Sequence, residues 1–140
     1  MEQEDARALA LDSREIGALP IINHFFDRLQ LYQLISQVVP DHKNQKLSHT
    51  AAILLFVRNI LIERHPLYKL SEWAQRFDPN LVGLGKTEAS VLNDDRVGRS
   101  LDALFDADRA SLLTTIVLRA VEHFAVQVSQ LHNDSTTVTV

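Results

Sequence analysis

The sequence predicts an all-α fold, a bundle of about six helices over residues 1–128, followed over residues 129–140 by one β-strand whose partner strands would lie in downstream sequence. Three observations carry this. Apolar residues recur at spacings of three and four through most of the chain, the period of a helix with one buried face. The chain has 140 residues, 46% hydrophobic and 23% charged, which suits a single core of ordinary size. After Phe124 the texture changes to AVQVSQLHNDSTTVTV, β-branched and alternating, with no helical period.

The first helix begins at Pro20, because proline suits a first helical turn where its missing N–H leaves nothing unpaired. Ile21, Ile22, Phe25, Phe26 and Leu29 then share one face. Leu31, Leu34, Ile35, Val38 and Val39 form a second short helix that Pro40 ends. The segment DHKNQKLSHT is a polar, basic connector. Ser48 or Thr50 caps a third helix over residues 48–64. It is apolar nearly all round except at Arg58 and Asn59, which places it in the middle of a bundle.

Pro66 starts a fourth helix with Leu67, Leu70, Trp73 or Ala74, and Phe77 as its buried stripe, and Asp78-Pro79 stops it. PNLVGLGKTEAS reads as a loop with room for one helical turn. Asn93 caps the next helix, in which Asp94 and Asp95 favour the dipole of the first turn and Val97, Leu101, Leu104 and Phe105 give the core face. Gly98 within it costs about 1 kcal/mol relative to alanine, unless another helix approaches closely there. The last helix starts near Asp108 and aligns Leu112, Leu113, Ile116, Val117, Ala120, Val121 and Phe124.

Composition removes several function classes. The chain has no cysteine, so disulfide frameworks, thiolate metal sites and cysteine nucleophiles are excluded within it. The N-terminus, MEQEDARALALDSREIG, lacks the basic flank and apolar core of a secretory signal, and a cytoplasmic location is expected. The longest apolar run, Ala51 to Val57, is too short to span a bilayer, so no membrane partner is expected. No two of the six histidines stand at i, i+4, and no phosphate-binding glycine loop or nucleophile elbow occurs.

Charge is unevenly distributed. The net charge is −4, but residues 42–76 hold six Lys and Arg against two Glu, and the flanking stretches are acidic. Only that middle stretch offers phosphates a favourable surface, and its cations Lys43, Lys46, Arg58, Arg64, Lys69 and Arg76 are the candidate nucleic-acid contacts. Arg96 and Arg99, at i, i+3, either meet phosphate or pair with acidic neighbours. Asp134 heads the C-terminal strand beside Ser135, Thr136 and Thr137. Small hydroxyl residues around an acid leave room for ions and a phosphodiester, although one carboxylate does not make a two-metal site.

The segments GALPIINHFFDRLQL, KNQKLSH, RHPLYKLSEWAQRF, LNDDRVGRSLDALFDA and LHNDSTTVTV together resemble the N-terminal region of bacterial insertion-sequence transposases of the DDE type, from about Asp12 to Val140. In that family a helical region precedes a ribonuclease H-like catalytic domain, whose first strand carries the first Asp of an Asp, Asp, Glu triad. The resemblance implies that Asp134 is that residue, a metal ligand for Mg²⁺ in DNA cleavage and strand transfer. It also implies that the chain is the front of something longer and that, lacking the other two carboxylates, it is inactive alone. Asn133 departs from the more apolar residue usual before the Asp.

Two roles are open for the helical region. It binds the terminal inverted repeats of its element through the basic stretch, or it is an assembly module that packs on its own catalytic domain or on another transposase copy. A stand-alone helical interaction module, or an inactive remnant with no role in transposition, is the alternative.

Overall fold

A computed structural model describes residues 11–130, and over them the chain is an all-α bundle. The helices are α1 (Leu19–Leu29), α2 (Leu31–Val38), α3 (His49–Ile62), α4 (Leu70–Ala74), α5 (Lys86–Ser90), α6 (Asp94–Asp106) and α7 (Arg109–Phe124), with short 3-10 turns at Leu67–Lys69 and Pro79–Val82. The expected strand over residues 129–140, with Asp134, lies essentially outside the described residues.

The centre is α3, as its nearly all-round apolar surface requires. Its Ala51, Ala52 and Leu55 join Leu19, Leu70, Trp73, Phe77 and Val97 in one buried cluster. Ile53 and Leu54, on the other side, join Phe26, Leu31, Ile35 and Val39 in a second. α3 therefore divides the interior between an α4/α6 half and an α1/α2 half. Helix starts follow the local chemistry: Ser48 Oγ accepts from Ala51 N, Asn93 Oδ1 from Arg96 N and Asp108 Oδ1 from Ser111 N. Gln30, left-handed at φ 53°, breaks α1 from α2.

Arg58 and Asn59, the polar residues in the second half of α3, are built in rather than left facing water. Asn59 is fully buried; its Nδ2 donates to His65 O at 2.8 Å and its Oδ1 accepts from His65 N at 3.1 Å, closing the turn in which Arg64 stands at φ 58°. That turn ends α3 and redirects the chain toward α4.

Three expectations are corrected. The single helix after Pro66 is a 3-10 turn running into a five-residue α4, although Leu70, Trp73, Ala74 and Phe77 are buried. Phe105, assigned to the core face of α6, is 66% exposed, because α6 turns Val97 and Ser100 toward the interior. Leu113 and Val117 of α7 are also mostly exposed, and no residue of that helix is fully buried. α7 lies at the edge and touches α1 and α2 with one flank, through partly buried Leu112 and Ile116.

Candidate nucleic-acid interface

The connector between α2 and α3 is a small rigid loop. Gln45 holds it: its Oε1 accepts from His42 N at 2.9 Å and its Nε2 donates to Leu47 O at 2.7 Å. The main chain closes the same turn, with Gln45 N donating to His42 O at 3.1 Å and Asn44 at φ 70°. Leu47 anchors the loop in the core, and Asp41 Oδ1 accepts from His49 N at 2.7 Å at the start of α3. With their backbone pinned on both sides, Lys43 and Lys46 project from a fixed platform.

The opposite wall is α6. Packing of α6 along α3 brings Arg96 and Arg99 across from the loop, and together they enclose a cavity of about 370 Å³ lined by His42, Lys43, Asn44, Gln45, Lys46, Leu47, His49, Arg96 and Arg99. Four of those side chains are cationic and none is a carboxylate. Arg96 is partly committed, donating to Val91 O. Among the described residues, Lys43, Lys46, Arg96 and Arg99 form no ion pair with a carboxylate. A concave, low-dielectric wall of one sign concentrates the field at its mouth, and the ligand it favours is anionic.

His49 belongs to this wall and is only 6% exposed. Its Nδ1 lies 2.9 Å from Ser100 Oγ, and Ser100 Oγ in turn donates to Arg96 O at 3.0 Å. The single hydroxyl proton being used there, Ser100 accepts from His49 Nδ1–H, and Nε2 is left as an acceptor. Burial pushes the His49 pKa down; Asp41 opposes the shift and His42 adds to it. The imidazole is accordingly neutral at pH 7.

The six cations expected to meet nucleic acid are thus divided by the fold. Lys43 and Lys46 come together at the cavity. Arg58 does not reach the surface: it is 7% exposed, donates from Nε to Asn23 Oδ1 at 2.8 Å and lies 4.9 Å from the Phe26 ring centroid. Burial lowers its pKa to about 10, with Asp27 opposing the shift. Gly83 packs against it so closely that a Cβ there would stand 2.8 Å from Arg58 Nη1. Arg58 is therefore a structural side chain.

Arg76 is also committed, reaching Glu15 Oε2 at 2.6 Å and Glu63 Oε2 at 2.7 Å. The same pairing runs along the main chain, where Glu15 N donates to Arg76 O at 2.9 Å. Arg76 thereby clasps the N-terminal segment to the end of α3. Lys69 and Arg64 are exposed. Lys69 lines a different, shallow cleft with His65, Glu72, Trp73 and Arg76.

The residues that sequence reasoning did not assemble are His42, His49, Arg96 and Arg99. The signal for the last two was the i, i+3 pair of arginines on a helix; their partner across the cavity is fifty residues away and needed the fold. Among the described residues, no group of three or more His, Asp or Glu is placed to hold a metal ion, and no helix is long and apolar enough to cross a membrane. A family model described as "Domain of unknown function (DUF4277)" matches residues 11–118. No curated protein and no solved structure matches the chain.

Proposed function

The chain belongs to the DUF4277 family of domains of unknown function, and from that premise we propose that it is the helical N-terminal region of a DDE-type insertion-sequence transposase and binds DNA of its element's ends. The observation that carries the DNA-binding role is the convergence of Lys43, Lys46, Arg96 and Arg99 on one cavity without a carboxylate. What supports the transposase assignment is the resemblance of LNDDRVGRSLD and the Asp-Ser-Thr stretch that contains Asp134. In this reading Asp134 is the first carboxylate of a Mg²⁺-binding triad whose other members come from a catalytic domain.

The test is fluorescence anisotropy of the purified chain with a labelled terminal inverted-repeat duplex at rising NaCl. Neutralising about four phosphates makes log K fall against log[salt] with a slope of about −3 to −4. Affinity that ignores salt, or no binding even at low salt, refutes the role.

A second reading, assembly on another protein surface, is favoured by a separate observation. Leu113, Val117 and Leu118 of α7 are 63%, 52% and 58% exposed, and uncovered apolar helix faces of this kind mark contact surfaces. The two roles are compatible, because α7 packs on α1 and α2 and does not line the cationic cavity.

A further inference from the structure

The cationic cavity has features that a duplex backbone does not need. Duplex DNA presents its phosphates along a convex ridge, and proteins meet it with cations spread over a protruding helix or edge. Here the connector loop and α6 ring one concavity of about 370 Å³, within the range of pockets for small molecules, roughly 300–1,000 Å³. Its wall also carries two imidazoles, His42 and His49, with ring centroids 5.8 Å apart at 83°. Cations on the rim answer a phosphate, whereas ring surfaces answer the face of a base.

His49 supplies the second, independent sign. Its Nε2 is buried with no hydrogen-bond partner among the described residues, and the Ser100 relay leaves that nitrogen an acceptor. An unfilled buried acceptor calls for a donor. A phosphodiester has acceptors only and leaves it unfilled. A nucleobase carries N–H donors on its edge, so a whole nucleotide satisfies both the rim and the wall.

We propose that the cavity of Lys43, Lys46, His49, Arg96 and Arg99 receives a single unpaired nucleotide, with its phosphate on the cations and its base against His42 and His49, so that the chain prefers single-stranded or locally opened nucleic acid to closed duplex. The proposal rests on the DNA-binding reading above and narrows it. The four cations supply affinity for any strand, and the imidazole wall supplies the preference. His42, exposed on the loop, is the ring free to adjust over an incoming base.

The test compares a labelled oligonucleotide, single-stranded and as its own duplex, against the 140-residue chain at one salt concentration. The expected result is single-strand affinity about tenfold above duplex affinity, the order contributed by one stacked base. Arg99→Ala, at an exposed position, lowers single-strand affinity more than duplex affinity, and Lys69→Ala leaves the ratio unchanged. In NMR, thymidine 5′-monophosphate shifts the His49 imidazole nitrogens and inorganic phosphate does so much less. Equal or tighter duplex binding with a normal salt slope overturns this inference and leaves the DNA-binding role standing. Equal shifts from phosphate and the nucleotide reduce the cavity to a bare anion site and overturn it too. Failure to bind either strand form removes both.

Discussion

Two arginines from the same basic stretch show how a residue's surroundings decide its task. Arg58 is desolvated, bonded to Asn23 and stacked by Phe26, and Asn23 Nδ2 passes the link on to Leu81 O at 2.8 Å. Removing the guanidinium leaves Asn23 Oδ1 without its donor, so Arg58→Met is expected to cost about 2–4 kcal/mol of stability with no change in DNA affinity of the folded protein. The Lys43→Ala/Lys46→Ala double variant behaves in the opposite way. Chemical denaturation is unchanged within about 0.5 kcal/mol, while affinity at low salt falls. Urea titrations paired with anisotropy separate the two cases.

Glu63 has a pH signature at the same scale. Hydrogen bonds from Arg76 and then His65 hold its carboxyl below the ordinary 4.5, with burial opposing. A carboxylate with a depressed native pKa contributes stability that is complete above its unfolded value and is lost as the pH falls through the native one. The wild-type urea midpoint should therefore drop more than that of Glu63→Gln between about pH 5 and about pH 3. Parallel curves through that window would show that the Glu63 arm of the Arg76 clasp contributes nothing.

At the scale of elements, the two informative glycines give opposite forecasts. Gly98 sits inside α6, and a Cβ there meets nothing within 4 Å, so no neighbouring helix requires the gap. Gly98→Ala is expected to stabilise by up to about 1 kcal/mol through helix propensity. Gly83 stands at φ +75° against Arg58, and Gly83→Ala is expected to destabilise by about 1–2 kcal/mol through left-handed strain, with crowding of the guanidinium added. Thermal midpoints moving in the same direction would contradict this pair. The starts of α3, α6 and α7 were legible in the sequence as Ser48, Asn93 and Asp108, since a cap is a contact within three residues. The split of the fourth helix into a 3-10 turn and α4 was not legible. The 3-10 bond from Lys69 N to Pro66 O has no residue signature of its own.

For the whole molecule, the edge position of α7 has a measurable consequence. Its Leu113, Val117 and Leu118 are each more than half exposed, and apolar side chains grouped in this way on one helix mark a contact surface. If it is an assembly surface, sedimentation velocity will show mass increasing with concentration, and Leu113→Glu/Val117→Glu will restore a monomer while salt-dependent DNA binding persists. A monomer at high concentration would remove self-association from the assembly reading and leave a different protein as the occupant.

The helical class, the central place of α3 and most helix limits are legible in the residue pattern alone, because these depend on periodicity and on contacts a few residues apart. The same pattern also marks residues 42–76 as the stretch with an excess of cations, Lys43 and Lys46 among them, although half of the cavity's cations, Arg96 and Arg99, come from outside it. Which cations are free is set by long-range packing. Arg58 is withdrawn by Asn23 and Phe26, Arg76 by Glu15 and Glu63, and Arg96 and Arg99 are brought to the connector from fifty residues away. Each of those outcomes is a long-range pairing, and the burial and electrostatic energies behind it depend on distances in space that a one-dimensional pattern does not contain.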